Sequence, residues 1–319
     1  SVEAHRHCQL HKTAGPRSFK PCRCSTSRIL RGGDQNFVLT LAELSKALRR
    51  AKTTWGPVEV SPELRGWSYD KPPVKPPAYP GVALSDFAYG YCPTYRNVYL
   101  KYVLGERGAP TKAVQEGQVL HAVLFKALED FRRFAYAGAP MSPSLEGVPE
   151  DLRAKAEALY KYVAARLVGE YSYALAARLA RSRDAAVFYA SPIATQVAVD
   201  GAPLGLSYVV ADGLALGAVV EFKFGPAPNV EVALAGYAMA IEADWGVPVD
   251  YGIHVQISVN HGVEYRAAAY PLGDSARAKF LEARDEAVDI AASGRDPGAP
   301  PQCPKTCPFY AVCHADSGR

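Results

Sequence analysis

The chain has 319 residues, 49% of them hydrophobic, and a formal net charge of +4 at pH 7. That length and apolar content suit one large domain or two ordinary ones with a full core. No apolar run is long enough to span a bilayer and no secretory signal pattern is seen, so the expectation is a soluble, cytoplasmic protein with no membrane partner.

The net charge conceals an asymmetry. Residues 1–112 carry 18 Lys+Arg against 8 Asp+Glu, and residues 113–319 carry 18 against 24. A basic first third can meet phosphates, although a basic tail supplies part of the excess. The seven cysteines are Cys8, Cys22, Cys24, Cys92, Cys303, Cys307 and Cys313. An odd count in a chain read as cytosolic argues for metal ligation over a disulfide framework.

Residues 1–36 have neither helical nor strand periodicity and read as a disordered or accessory tail. Cys8, Cys22 and Cys24, with His5, His7 and His11, are the ingredients of a small zinc knuckle there, but the spacing fits no strong pattern. Order is expected from Phe37. Thr40-Leu-Ala-Glu43 is a capping box that opens a helix to about Lys52. The prolines of 56–81 predict an extended, stiff segment crossing the surface. A helical turn at Ser85-Asp86 leads to Cys92, and Tyr95–Leu104 reads as a helix with Val98, Tyr99, Tyr102 and Val103 on its apolar face. Phe87, Tyr89, Tyr91, Tyr95, Tyr99 and Tyr102 crowd this stretch. Such rings can stack single-stranded bases beside cations, or simply pack a core.

Gly117–Tyr136 is an amphipathic helix with Val119, Leu120, Val123, Leu124, Leu128 and Phe131 along its stripe and His121 off its centre. A long helix is expected over 150–183, interrupted at Gly169. Short strands are expected at Val187–Tyr189 and Thr195–Val199, then a tight turn at Asp200-Gly201.

Leu206–Phe224 reads as a hairpin, two β-branched runs joined by a Gly-containing turn. Asp212 ends the first run, and Glu221, Phe222 and Lys223 lie in the second. Strand alternation puts Glu221 and Lys223 on one face, with Phe222 and Phe224 on the other. A carboxylate and an ammonium in an otherwise apolar strand are costly unless paired or coordinating something. Two carboxylates on adjacent strands, Asp212 and Glu221, can bind a hard cation such as Mg²⁺ or Mn²⁺. Lys223 can then orient an attacking water. The plainer alternative is a Glu–Lys pair on a half-exposed strand.

A helix over Val230–Asp244 carries Tyr237 near its middle. Tyr251–Val259 and Val263–Tyr270 form a further strand pair, and Ser275–Ala292 a last amphipathic helix. Neither a G-x-x-x-x-G-K-[ST] loop nor a G-x-S-x-G elbow is present. At the C-terminus, Cys303, Cys307 and Cys313 stand at C-x3-C-x5-C spacing. With Cys92 as a fourth thiolate they can surround one metal centre, zinc or iron–sulfur, closing a loop of about two hundred residues.

The order Gly117-x-x-x-His121, Asp212, Glu221-x-Lys223, then a helix with Tyr237, framed by Cys92 and the three C-terminal cysteines, resembles the CRISPR-associated RecB-like iron–sulfur nucleases. The stretch from Glu63 to Gly105, ELRGWSYDKPPVKPPAYPGVALSDFAYGYCPTYRNVYLKYVLG, resembles the archaeal type I-A variety. The resemblance covers about residues 37–314. It implies an α/β fold with a restriction-endonuclease-like, PD-(D/E)XK core, a mixed sheet flanked by helices. It divides the chain into a tail (1–36), an N-terminal helical region with the first cluster cysteine (37–112), a nuclease core (113–295) and a cysteine segment (296–319). It implies Mn²⁺ or Mg²⁺ held by His121, Asp212, Glu221 and the Phe222 carbonyl. Lys223 is implied as the catalytic lysine, and Cys92, Cys303, Cys307 and Cys313 as ligands of an iron–sulfur cluster, 4Fe–4S in preference to 2Fe–2S. Tyr237 matches the tyrosine of the family's Q-x-x-x-Y element, but Ala233 stands where its Gln would be. The implied substrate is DNA, single-stranded or with single-stranded overhangs, cut for CRISPR spacer acquisition alongside integrase proteins. Two other readings stand beside this one: a non-catalytic DNA-binding scaffold of the integration complex, and a host repair nuclease of the same fold.

Overall fold

The chain enters the described part of the computed structural model, residues 39–315, at the capping box. The expectations placed on residues 1–36, including the zinc knuckle of Cys8, Cys22 and Cys24, lie outside the described residues. Thr40 Oγ1 accepts the Glu43 amide at 3.4 Å, and Glu43 Oε2 accepts the Thr40 amide at 3.3 Å. Two otherwise orphaned donors are thereby satisfied and helix α1 (Leu41–Trp55) begins.

The proline-rich stretch after α1 keeps nearly all its residues exposed or half-buried, as expected of a segment crossing the surface, but it is not extended throughout. It bends through two 3₁₀ turns, Pro62–Leu64 and Gly66–Ser68, and buries Val74 completely. The expected helix at Tyr95–Leu104 is a short α-helical turn, α2 (Arg96–Val98), running into a π-helical turn, Tyr99–Val103. The wider turn carries Leu100 into the core and leaves Val103 36% exposed, the reverse of what a 3.6-residue period predicts.

Helix α3 (Lys112–Ala137) starts at Thr111, whose hydroxyl accepts the Val114 amide. Helix α4 (Glu150–Ala176) passes Gly169 without a break. The strand expected at Val187–Tyr189 lies inside helix α5 (Arg183–Ala190). There Ser182 caps the Ala185 amide at 3.1 Å, and an Ala-rich run outweighs the β-branched Val187.

Strands β1 (Ala194–Val199), β2 (Val209–Ala215) and β3 (Ala218–Lys223) are antiparallel neighbours. The β2–β3 turn is Leu216-Gly217, with φ of 52° and 74°, as a two-residue type I′ hairpin requires. Helix α6 (Val230–Trp245) then crosses over to β4 (Tyr251–Val259), which pairs parallel to β3. Strand β5 (Val263–Pro271) returns antiparallel, and α7 (Asp274–Ser293) and α8 (Tyr310–Ala315) follow. The result is a mixed five-stranded sheet in the order β1-β2-β3-β4-β5. Its two faces support separate cores. Val220, Phe222, Ile253 and Val255 pack toward α1, α3 and α4, while Val199, Val209 and Val219 pack toward α6, α7 and the segment 74–98. Among the described residues no helix is long and apolar enough to cross a membrane.

Helix α6 is apolar nearly all round, so it must be covered on every side. Its one charged group inside the core, Glu242, is fully buried. Arg277 of α7 grips it with two bonds of 2.6 and 2.8 Å, Arg65 adds a third at 2.7 Å, and the amides of Gly66 and Val249 donate at 2.8 and 3.1 Å. Burial pushes the Glu242 carboxyl up, but these donors outweigh it and hold the group below the usual range. Gly66 is required by closeness: a Cβ there would stand 1.9 Å from the Met239 carbonyl oxygen. Arg277→Met leaves Glu242 buried without its bidentate partner, so it is expected to lower unfolding free energy by about 3–5 kcal/mol. Urea unfolding at neutral pH measures this.

Candidate active site

Three elements meet where β2 and β3 part. The β2–β3 ladder stops at Gly213↔Val220, so the Phe222 amide finds no strand partner on that side. It donates to Asp212 Oδ2 at 2.8 Å instead. Helix α3 brings His121 over the same opening, with Nδ1 3.8 Å from Asp212 Oδ1. The ring packs edge-on to Phe224, at 5.1 Å between centroids. On the other face of β3, Glu221 is 1% exposed. Lys223 Nζ lies 2.7 Å from Glu221 Oε1, and the Tyr89 hydroxyl donates to the same oxygen. Lys223 also sits 4.4 Å above the Tyr89 ring, which stacks on Tyr91 at 5.4 Å. Tyr237 of α6 is buried beside them and shares a hydrogen bond with Tyr89.

The electrostatics follow from this burial. Burial and then the Asp212 charge push the Glu221 carboxyl up to about 7, against the pull of Lys223. Burial pushes Asp212 up to about 6, partly offset by the Phe222 amide and Lys223. Burial also opposes the charge on Lys223, but Glu221 beside it holds the ammonium above its usual range. Burial and then Lys223 lower His121 to about 4, so its ring is neutral near pH 7 and keeps a lone pair; a hydrogen bond with the Phe222 carbonyl works the other way.

Two crowded carboxyls, a neutral imidazole and a carbonyl are a donor set suited to a hard or borderline divalent cation. Glu221 Oε2 is buried with no hydrogen-bond partner, an acceptor aimed at nothing the protein supplies. Among the described residues, no group of three or more His, Cys, Asp or Glu side chains is close enough together to hold a metal ion as they stand.

Beside His121 and Lys223 lies an open cavity of about 500 Å³, which neither Asp212 nor Glu221 lines. His121 and Lys223 face it, as do Gln118, Phe125, Gln196 and Phe224. Tyr91, 53% exposed, forms one wall and anchors its hydroxyl on the Pro226 carbonyl at 2.8 Å.

Cys92, Cys303, Cys307 and Cys313 lie near enough to influence one another electrostatically, but no three of them form a group that could hold a metal ion. All four are free thiols, with Cys313 the most buried. Burial, then Cys307, Cys313 and Cys92, push the Cys303 thiol up to about 11. Mutual repulsion of this kind is what a bound metal relieves. Arg96 ties α2 to the C-terminal cysteine segment here, clamping Asp296 at 3.0 and 2.9 Å and donating to the Cys313 carbonyl at 3.2 Å.

Three neighbours of the site were not foreseen as such. Tyr89 was visible only as one of several tyrosines. Gln196 carries no sequence signal. His254 is the register partner of Glu221 on β4, and burial and then Lys223 lower it to about 4. Alternation within Tyr251–Val259 puts His254 opposite the Ile253/Val255 face, a signal present in the sequence.

The family model for CRISPR-associated exonuclease Csa1 matches residues 38–317. A protein of that name from Thermoproteus tenax is 77% identical over 278 residues, 87% of this chain and 100% of the relative. Another of that name, from Saccharolobus solfataricus, is 32% identical over 288 residues, 85% of this chain and 96% of the relative.

The raised Glu221 carboxyl has a measurable consequence. Its folded value, about 7, lies above the ordinary 4.5, so ionising it costs stability. The cost is absent well below pH 4.5, grows through the interval and is complete above about pH 7. Glu221→Gln cannot ionise. Relative to wild type, the variant is expected to gain unfolding free energy steadily between about pH 5 and about pH 8 without added divalent cation. Urea unfolding across that range checks the slope; a difference independent of pH contradicts the raised value.

Proposed function

The chain belongs to the CRISPR-associated exonuclease Csa1 family, and on that premise we propose that it is a divalent-metal-dependent deoxyribonuclease with a PD-(D/E)XK core. Its substrate on this reading is DNA with a free single strand, which it trims as an exonuclease with some endonuclease capacity. The processed DNA would pass to CRISPR integrase proteins for spacer acquisition. The observation that carries the proposal is the buried, unpartnered Glu221 Oε2 beside Asp212 and a neutral His121.

In this reading Asp212, Glu221, His121 and the Phe222 carbonyl would hold Mn²⁺ or Mg²⁺. Such an ion would supply a water of lowered pKa and would neutralise charge on the phosphate. Lys223, held by Glu221, steadies the attacking water and the charge that grows on the phosphate oxygens. Tyr89 and Tyr237 fix the Glu221 carboxylate from behind. Tyr91 offers an exposed ring to an unstacked base. The cysteine quartet would hold an iron–sulfur cluster, 4Fe–4S, as a clasp between the two ends of the fold.

One feature favours the scaffold reading. Ala233, fully buried, fills the position where the family element has Gln. Cleavage of a labelled single strand in Mn²⁺ separates the two. Asp212→Ala is expected to lose both Mn²⁺ binding and cleavage. Lys223→Ala is expected to keep Mn²⁺ and DNA binding while turnover falls by about 10²–10⁴-fold. Wild-type rates in both variants would remove the nuclease assignment. Cys92→Ala in anaerobically purified protein is expected to lose iron and its visible absorption near roughly 400 nm and to melt earlier. A colourless wild type holding one zinc would replace the iron–sulfur part alone.

A further inference from the structure

We propose that Gln196 contacts the DNA strand in this cavity, and that the fold holds it there in a left-handed backbone conformation that costs stability. The inference rests on reading the cavity as a DNA site. Gln196 lies in the middle of β1 with φ of 54°. Left-handed conformations are unfavourable for side chains other than Gly and, less so, Asn or Asp. The other such residues outside glycine have local reasons: Leu216 shares the hairpin turn with Gly217, Tyr95 caps α2, and Arg178 lies just past the end of α4. Among the described residues, Gln196 alone shows this conformation inside a strand.

The β1–β2 register is continuous around it. Thr195 pairs with Gly213 and Val197 with Ala211, so the residue across from Gln196 is Asp212, and that one pair is missing from the ladder. Both sides are pinned. Arg132 of α3 holds the Ile193 carbonyl at 2.7 Å and the Thr195 hydroxyl at 3.2 Å, and Val197 and Val199 are buried in the core. A strained residue persists only where its surroundings over-determine it.

What the conformation achieves is visible in the cavity. Gln196 lines it together with His121, Lys223 and Tyr91. No group among the described residues hydrogen-bonds its carboxamide. A carboxamide both donates and accepts, so it fits a phosphate oxygen or a base edge, and it is neutral beside the Asp212 carboxylate. It enters from β1, independently of the α6 position where Ala233 leaves the family's Gln absent.

The test uses Gln196→Gly and Gln196→Ala in the full chain. Glycine removes both the strain and the carboxamide, whereas alanine removes only the carboxamide. Gln196→Gly is expected to melt about 2 °C or more above Gln196→Ala. Binding of a fluorescein-labelled oligo-dT strand, read by anisotropy without divalent cation, is expected to weaken about 10-fold in both variants. Calorimetric Mn²⁺ binding is expected to stay at the wild-type level. A Kd within twofold of wild type in both variants, or a glycine variant that melts below the alanine one, overturns the proposal. Wild-type protein that binds the strand but cuts nothing in Mn²⁺ ends the nuclease reading and leaves this inference standing. Wild-type protein that binds no strand overturns it.

Discussion

The organising constraint of the site is a carboxylate taken out of water in the middle of a sheet. Glu221 sits on the central strand, almost fully buried, with one oxygen shared by Lys223 and Tyr89 and the other unpartnered. An ionised carboxylate in such a place is tolerated only with compensation nearby. Much of the surrounding architecture supplies it. The segment 84–98 delivers Tyr89, α6 delivers Tyr237, and β3 itself delivers Lys223 two residues on. The parting of β2 from β3 then sets Asp212 where its charge works against Glu221 rather than for it.

A second buried carboxylate shows what a purely structural solution looks like. Glu242 is as deeply buried as Glu221, yet its oxygens take two arginines and two backbone amides. Its carboxyl is held below the usual range, whereas that of Glu221 is raised to about 7. Much of the difference lies in satisfaction. One group is finished by the protein, and the other leaves an acceptor free and a like charge close by, the arrangement expected of a group with work to do.

Much of the fold was legible because the periodicities were clean. The capping box at Thr40, the stripe of α3, the hairpin 206–224 and the strand pair after α6 all follow from local rules. Errors fell where local and tertiary terms compete. Val187–Tyr189 looked like strand, but Ser182 and the alanines start a helix there. The proline-rich segment looked like a stiff, extended spacer, but Arg65 and Gly66 are drawn in by Glu242, a residue far along the chain. Of the site, the residues with charge or sulfur could be singled out by type and order: His121, Asp212, Glu221 and Lys223, and the four cysteines. Tyr89 and Gln196 could not, and for His254 the strand alternation marks only its face, not its place beside Glu221. Tyr89 and His254 matter through register and close approach, and Gln196 through a backbone angle that composition does not encode.

The Glu242 network also bears on how the chain comes to be folded as it is made. Arg65 precedes Glu242 in the sequence, but Arg277 follows it by 35 residues. While α7 is still inside the ribosome, α6 can lie on β3 and the segment 74–98, but Glu242 would be enclosed without its principal counter-charge. The nascent sheet therefore gains little by closing early on this face. The side built from α1, α3 and α4 closes on Ile253 and Val255 of β4, which precede α7, so during synthesis it is the half that can consolidate before Arg277 is available.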